Sequence, residues 1–340
     1  MRKCLIFLLL AAALATGVCA AADVLQEEAA ILGADKLEDA LPAEAEEALD
    51  GISPLEQGRF SDGFKQILAG VVKGLGGWMR RGAQVSAALL AAALLCGFGA
   101  EAKGGAGAAV RMAGCLGIAA VCTSGLYGMI ALAQETLDGL GSFSALLLPV
   151  LSSALTASGG VTSGGALYAG ATLLISVLTS LIRSFLIPCV YCYLFLAVAQ
   201  YAIGDDRLEC LRELAGWTVK TALRAAVAAF TAYLTLTGLL AGAADEMTLK
   251  AAKSVISTAI PVVGGMVSEA SQAVLTSAAL IRNSAGVFGL LAVLAVGLGP
   301  FLQIAVQYLA LRVTAALSGF LAMQEHTKLL SCAADAMGYM

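Results

Sequence analysis

From Gly286 to Leu311 the chain carries no charged side chain. That uncharged run exceeds the ~20 residues an α-helix needs to cross a bilayer's hydrocarbon core. It is therefore read as a spanning helix. Pro300 is expected to kink it, and Gln303 and Gln307, four residues apart, share one face and form a polar stripe. The approach to this run has a different character. Pro261 removes a backbone donor and pushes Ile260 out of helical geometry, while Gly264 and Gly265 permit a sharp turn. Residues 254–282 are thus expected to form a broken segment that enters the membrane partway and packs against the following span. Such breaks persist at membrane depth only where protein or water satisfies the freed backbone groups. Glu269 and Arg282 are the charged residues of that segment, and charges at such depth default to pairing or functional roles.

Composition agrees with a membrane protein. Only 13% of residues are charged and 59% are hydrophobic, with a mean hydropathy of +0.87, whereas soluble domains carry about 25% charge. The net charge of -4 conceals an uneven distribution, since eleven of the 24 acidic residues lie between Asp23 and Glu56. No basic patch suggests nucleic acid. The nine cysteines sit mostly in apolar runs and form no disulfide framework. Cys189 and Cys192 have redox-motif spacing, but they lie in a hydrophobic span behind Pro188 and read as small buried apolar residues.

Taken in order, residues 1–22 read as a cleaved leader: Arg2 and Lys3, an apolar stretch from Leu5 to Ala15, and a small-residue site near Ala20. Residues 23–60 are the acidic segment that this leader would export. Leu37, Leu41, Ala45, Leu49 and Ile52 recur at helical spacing within it. Both a solvated linker and a short amphipathic helix that docks on a partner fit that pattern. Residues 61–340 are read as one polytopic membrane domain. It opens with an amphipathic, basic interface helix from Phe60 to Arg81, and spans follow at about 84–100 and 112–133. Residues 134–163 contain Glu135 and Asp138 but no Lys or Arg, which favours the outer side.

Residues 166–204, interrupted by Arg183 and Pro188, are long enough for one crossing or two. The following basic helix, Asp205 to Arg224, belongs in the cytoplasm by its charge, which fits one crossing and conflicts with two. A further span is expected at about 221–243, and the chain closes with an amphipathic piece ending at Met340. The expected fold is all-α and polytopic, with about five to seven transmembrane helices plus amphipathic and broken segments.

Intramembrane catalysis needs particular groups. His326 is the chain's one histidine, so the paired histidines of a zinc protease are lacking, and it lies in the polar tail rather than on a span beside a serine nucleophile. Gly204-Asp205 lacks the first glycine of an aspartyl motif, and there is no Walker loop. The expectation is a chain that catalyses nothing and uses neither cofactor nor metal.

Three pieces in order carry a resemblance: Ala157-Ser158-Gly159-Gly160-Val161-Thr162-Ser163, then Asp245 to Lys253, then Ile260-Pro261-Val262-Val263-Gly264-Gly265. Gly286-Val287-Phe288-Gly289-Leu290-Leu291 and Leu311 to Leu317 continue it. Over roughly residues 60–323 the chain resembles the stage III sporulation protein AE family. The resemblance implies a multi-pass protein of the mother-cell membrane facing the forespore. It would be a subunit of a channel or secretion-like complex, with other stage III membrane proteins and a forespore-side partner. Two departures concern the C-terminal part. Only Glu325, His326 and Lys328 are charged where the family carries a larger cluster, and the family's further hydrophobic span does not follow, so a different C-terminal topology or a shortened sequence is expected. The competing reading is a stand-alone secondary transporter, which the break at Pro261 suits; paired inverted broken helices, the mark of such folds, are not evident.

Overall fold

The computed structural model describes residues 27–34, 36–39, 41–49, 60–100, 105–158, 161–203, 207–259, 264–321 and 324–340. Backbone alone is described for 236–259 and 264–274. Among the described residues every regular element is helical: α1 (27–32), α2 (Lys36–Asp39), α3 (Ala43–Ala48), α4 (Phe60–Ala100), α5 (Gly105–Ala157), α6 (Val161–Leu181), a π-turn (Ile182–Leu186), α7 (Ile187–Ile203), α8 (Arg207–Ala259), α9 (Gly264–Leu321) and α10 (Gln324–Gly338). Among the described residues three helical stretches are long and apolar enough to cross a membrane: Met112–Ala157, Gly165–Ile203 and Leu275–Phe320.

The helices are longer than the sequence reading drew them. The interface helix and the first span are one 41-residue helix, α4. The span at 112–133 and the outer segment as far as Ala157 are one 53-residue helix, α5, which at 1.5 Å per residue runs about 80 Å. Pro149 and Pro300 lie inside α5 and α9 without ending them. A proline frees one carbonyl and crowds another, and a long apolar helix held by its neighbours absorbs that loss. Residues 161–203 also continue without a break. The proline at 188 would collide with the carbonyl four residues earlier, and the chain widens into the π-turn just there, at Ile182–Leu186. The wider register absorbs the ring, so the helix bulges where a break was expected.

Two compact units are present. The first comprises 1–66, 141–173 and 233–294; the second comprises 67–140, 174–232 and 295–340. In the first, Phe143, Leu147, Val150 and Ala154 form one buried stripe of α5, and Ile281, Ala285, Phe288 and Ala292 form one of α9. The two helices approach closely at Gly289, where a Cβ would stand 2.5 Å from Leu147 Cδ2. The acidic segment belongs to this unit. Ala29, Ala34, Leu37, Ala45 and Leu49 are buried, so over 27–49 the linker reading fails and the helical stripe packs within its own chain. Gly33, with φ +74°, ends α1 by taking the left-handed conformation that lets Ala34 N–H reach Ala29 O at 2.9 Å. Its backbone lies against Val150, and Ser277 of α9 donates to Glu28.

The second unit holds one continuous core. Leu89 and Ala93 of α4, Ile118, Cys122 and Leu126 of α5, Val190 and Leu194 of α7, Val219 of α8, Leu311 of α9, and Leu329, Leu330 and Met337 of α10 all contribute. The closing piece of the chain is therefore a core helix.

Candidate functional site

The second unit's polar chemistry gathers around α9 and α10. On α9, Ala310 lies against Gly82 of α4, where a Cβ would come within 3.3 Å of the alanine methyl, and Ser86 donates to Ala310 O at 3.2 Å. Gln307 lies one turn away and is half-buried. Its Oε1 is 3.7 Å from where a Gly82 Cβ would be, and its Nε2 is 4.0 Å from the same point at Gly125 of α5. Two glycines on two helices thus leave room for one amide, an arrangement that small residues make possible between apolar helices. Gln303, one turn earlier, is also half-buried.

Five residues after Gln307, Arg312 reaches α10. Its guanidinium pairs with Asp335 at 2.6 Å, and it donates to Tyr308 Oη at 3.2 Å and to Ser331 Oγ at 3.4 Å. Tyr308 also packs on Gly338, where a Cβ would meet its ring at 3.0 Å. On the other side of α10, Arg212 of α8 donates to Cys332 Sγ at 2.7 Å, pairs with Glu209 at 3.4 Å, and stands 5.9 Å above the Tyr201 ring. Tyr193 and Tyr339 meet edge to face, and Lys220 lies 5.5 Å above Tyr339. Burial pulls the Arg212 pKa down, but the Cys332 thiol and Tyr201 push harder, so its net shift is upward and the guanidinium stays charged. His326 is fully buried at the start of α10. A Cβ at Gly114 of α5 would stand 2.9 Å from His326 Nε2 and 2.6 Å from Cys96 Sγ, so the glycine is what admits both. Together these groups hold α10 in place from α5, α8 and α9. This is fixation chemistry. Among the described residues no cluster of three metal-ligating side chains occurs.

The residues singled out from sequence fall apart into separate places. Gln303, Gln307 and Pro300 lie in the second unit, on α9. Arg282 lies in the first unit, half-buried on the same helix. Gly264 and Gly265 open α9, and Glu269 follows in its second turn. Pro261 lies outside the described residues, as does the break itself; α8 ends at Ala259 and α9 begins at Gly264. Sequence reasoning missed one pairing altogether. Arg183, which interrupts the run 166–204, forms an ion pair with Asp138 of α5.

A long-helical chain with three apolar stretches of membrane-crossing length and a helix-fixing polar network is a polytopic membrane protein. A profile described as stage III sporulation protein AE matches residues 49–340, and the chain belongs to that family. A relative from Bacillus subtilis (strain 168), "Stage III sporulation protein AE", is 24% identical over 172 residues, covering 51% of this chain and 43% of that protein. The chain thus spans under half the length of the curated relative it matches. No solved structure matches it. Membership of the family points to a role in sporulation.

Proposed function

We propose that this chain is a non-enzymatic membrane subunit of a channel or secretion-like complex joining mother cell and forespore. It sits in the mother-cell membrane facing the forespore, among other stage III sporulation membrane proteins and a forespore-side partner. The observation that carries this reading is the family match across residues 49–340, together with spans that bury little of themselves. Only 11% of the apolar window in Gly165–Ile203 is buried within the chain, which leaves that surface to lipid and to other subunits. The network around α10 fixes a helix against its neighbours, which supports a structural role.

The reading counts five crossings, at the low end of the five to seven expected. The apolar parts of α4 and α8 join the three candidate stretches, and 165–203 crosses once. With a cleaved leader ahead of the acidic segment, that count puts residues 134–163 outside and the basic start of α8 in the cytoplasm, as the charge rule asks. Alkaline phosphatase fused after Glu56 is then active; a stable but inactive fusion contradicts the exported segment.

The test of the function replaces the native family member of an endospore former with a tagged copy of this chain. The proposal expects sporulation to be restored and other stage III membrane proteins to co-purify. A chain that is recovered alone from sporulating cells, and moves solute by itself in liposomes, is a stand-alone transporter and ends the proposal.

A further inference from the structure

Cys96 of α4 and His326 of α10 lie far apart in sequence and meet over one glycine of α5, all three within the second unit. The point where a Gly114 Cβ would stand is 2.6 Å from Cys96 Sγ and 2.9 Å from His326 Nε2. Sulfur and imidazole nitrogen thus border the same point from two different helices. His326 is fully buried and Cys96, a free thiol, is half-buried. Packing alone accounts for a buried cysteine, which behaves as a small apolar residue. It does not account for the choice of a fully buried imidazole whose Nε2 lies beside that thiol.

Imidazole and thiolate are both metal donors, and zinc holds them at about 2.0 and 2.3 Å. The point beside Gly114 is within about 1 Å of both distances. The number of donors then selects the ion. Among the described residues no cluster of three His, Cys, Asp or Glu occurs, whereas zinc, calcium and magnesium take four or more ligands. A soft monovalent ion such as Cu(I) is satisfied by two, and thiolate and imidazole are donors that suit copper. Charge points the same way. Cu(I) with one thiolate is neutral, while a divalent ion with one thiolate leaves a net positive charge in a buried place. His326 stands alone in the sequence, which is why no metal was expected there; the fold brings it a second donor.

We propose that Cys96 and His326 hold one soft monovalent metal ion of the Cu(I) class between α4 and α10. Binding replaces the Cys96 thiol proton, which leaves to solvent, and no electron moves. The ion ties the start of α10 to α4 across Gly114, and the site is independent of the assembly proposed above. The test uses the full chain, purified in detergent under anaerobic reductant, with the exposed Cys192 and Cys210 replaced by serine. It is titrated with Cu(I) delivered from a bicinchoninate complex. One equivalent binds, and X-ray absorption shows two-coordinate copper with one sulfur and one nitrogen. Cys96→Ser and His326→Gln weaken binding by more than the roughly 100-fold that loss of an outer-shell partner costs. Cys115→Ser, which removes a buried thiol elsewhere, leaves it unchanged. Hydrogen exchange in 324–338 slows on Cu(I) binding in the parent and not in Cys96→Ser. Copper held by two sulfurs is an adventitious ion only and overturns the site, as does uptake that neither variant reduces. Zn²⁺ bound as tightly as Cu(I) overturns the choice of ion. The absorption signature is read on the parent chain, so it decides between these outcomes even where a variant fails to fold.

Discussion

Alanine at Gly289 sets two effects of known size against each other. In an open helical position the exchange removes glycine's backbone penalty, a gain of up to about 1 kcal/mol. At Gly289 the new methyl would stand 2.5 and 2.8 Å from the two Leu147 methyls and 3.3 Å from its Cγ, and Leu147 is 8% exposed with little room to move. Overpacking of that kind costs about 1–3 kcal/mol, so the net is a loss of about 0–2 kcal/mol. Leu147→Ala alone costs about 2–5 kcal/mol through the cavity it leaves. In the double variant the alanine methyl occupies vacated space, and the cycle shows a favourable coupling of about 1–2 kcal/mol. Gly297→Ala, on the same helix with nothing within 4 Å of its would-be Cβ, is the control and gains stability. Equilibrium denaturation in mixed micelles, followed by circular dichroism, measures all four. The α5–α9 approach is refuted if Gly289→Ala stabilises as much as Gly297→Ala, or if the two changes add to within about 0.3 kcal/mol.

Two more outcomes follow from the packing. The Arg312–Asp335 pair is partly exposed and worth under about 1 kcal/mol, whereas Leu330 is fully buried, so hydrogen exchange across α10 rises far more in Leu330→Ala than in Asp335→Asn; the reverse order would mean that charge holds the helix. Leu37→Asp places a charge at a fully buried point of the acidic segment, and a glutamate-specific protease should then cut within 27–49 of the solubilised protein while sparing the native chain; equal cleavage of both would show that the segment does not pack.

The class of fold was open to reading because hydrocarbon imposes length and apolarity locally, residue by residue, from Gly286 to Leu311 and elsewhere. Helix ends were less readable. Pro149, Pro188 and Pro300 look like breaks in isolation, yet neighbouring helices and one π-turn absorb them. Asp138 sits in sequence that lacks positive charge, and the cation that pairs with it stands 45 positions away, at Arg183. The burial of α10 was hidden for the same reason. His326, Cys332 and Asp335 read as a polar tail, and only the glycine at 114 and the arginines at 212 and 312 give them an interior. In the acidic segment the spacing of Leu37, Ala45 and Leu49 was a true signal of packing, but periodicity cannot say whether the surface it packs on is another protein or the same chain.

Cys210 reports the topology most directly, since it is exposed on the basic start of α8 and its side of the membrane depends on 165–203 crossing once. The experiment uses the full chain with Cys192 replaced by serine and an impermeant maleimide. Cys210 is expected to be labelled in inside-out vesicles and protected in intact cells. Labelling from outside intact cells, with the vesicle preparation unreactive, would contradict a single crossing and with it the topology proposed for the whole chain.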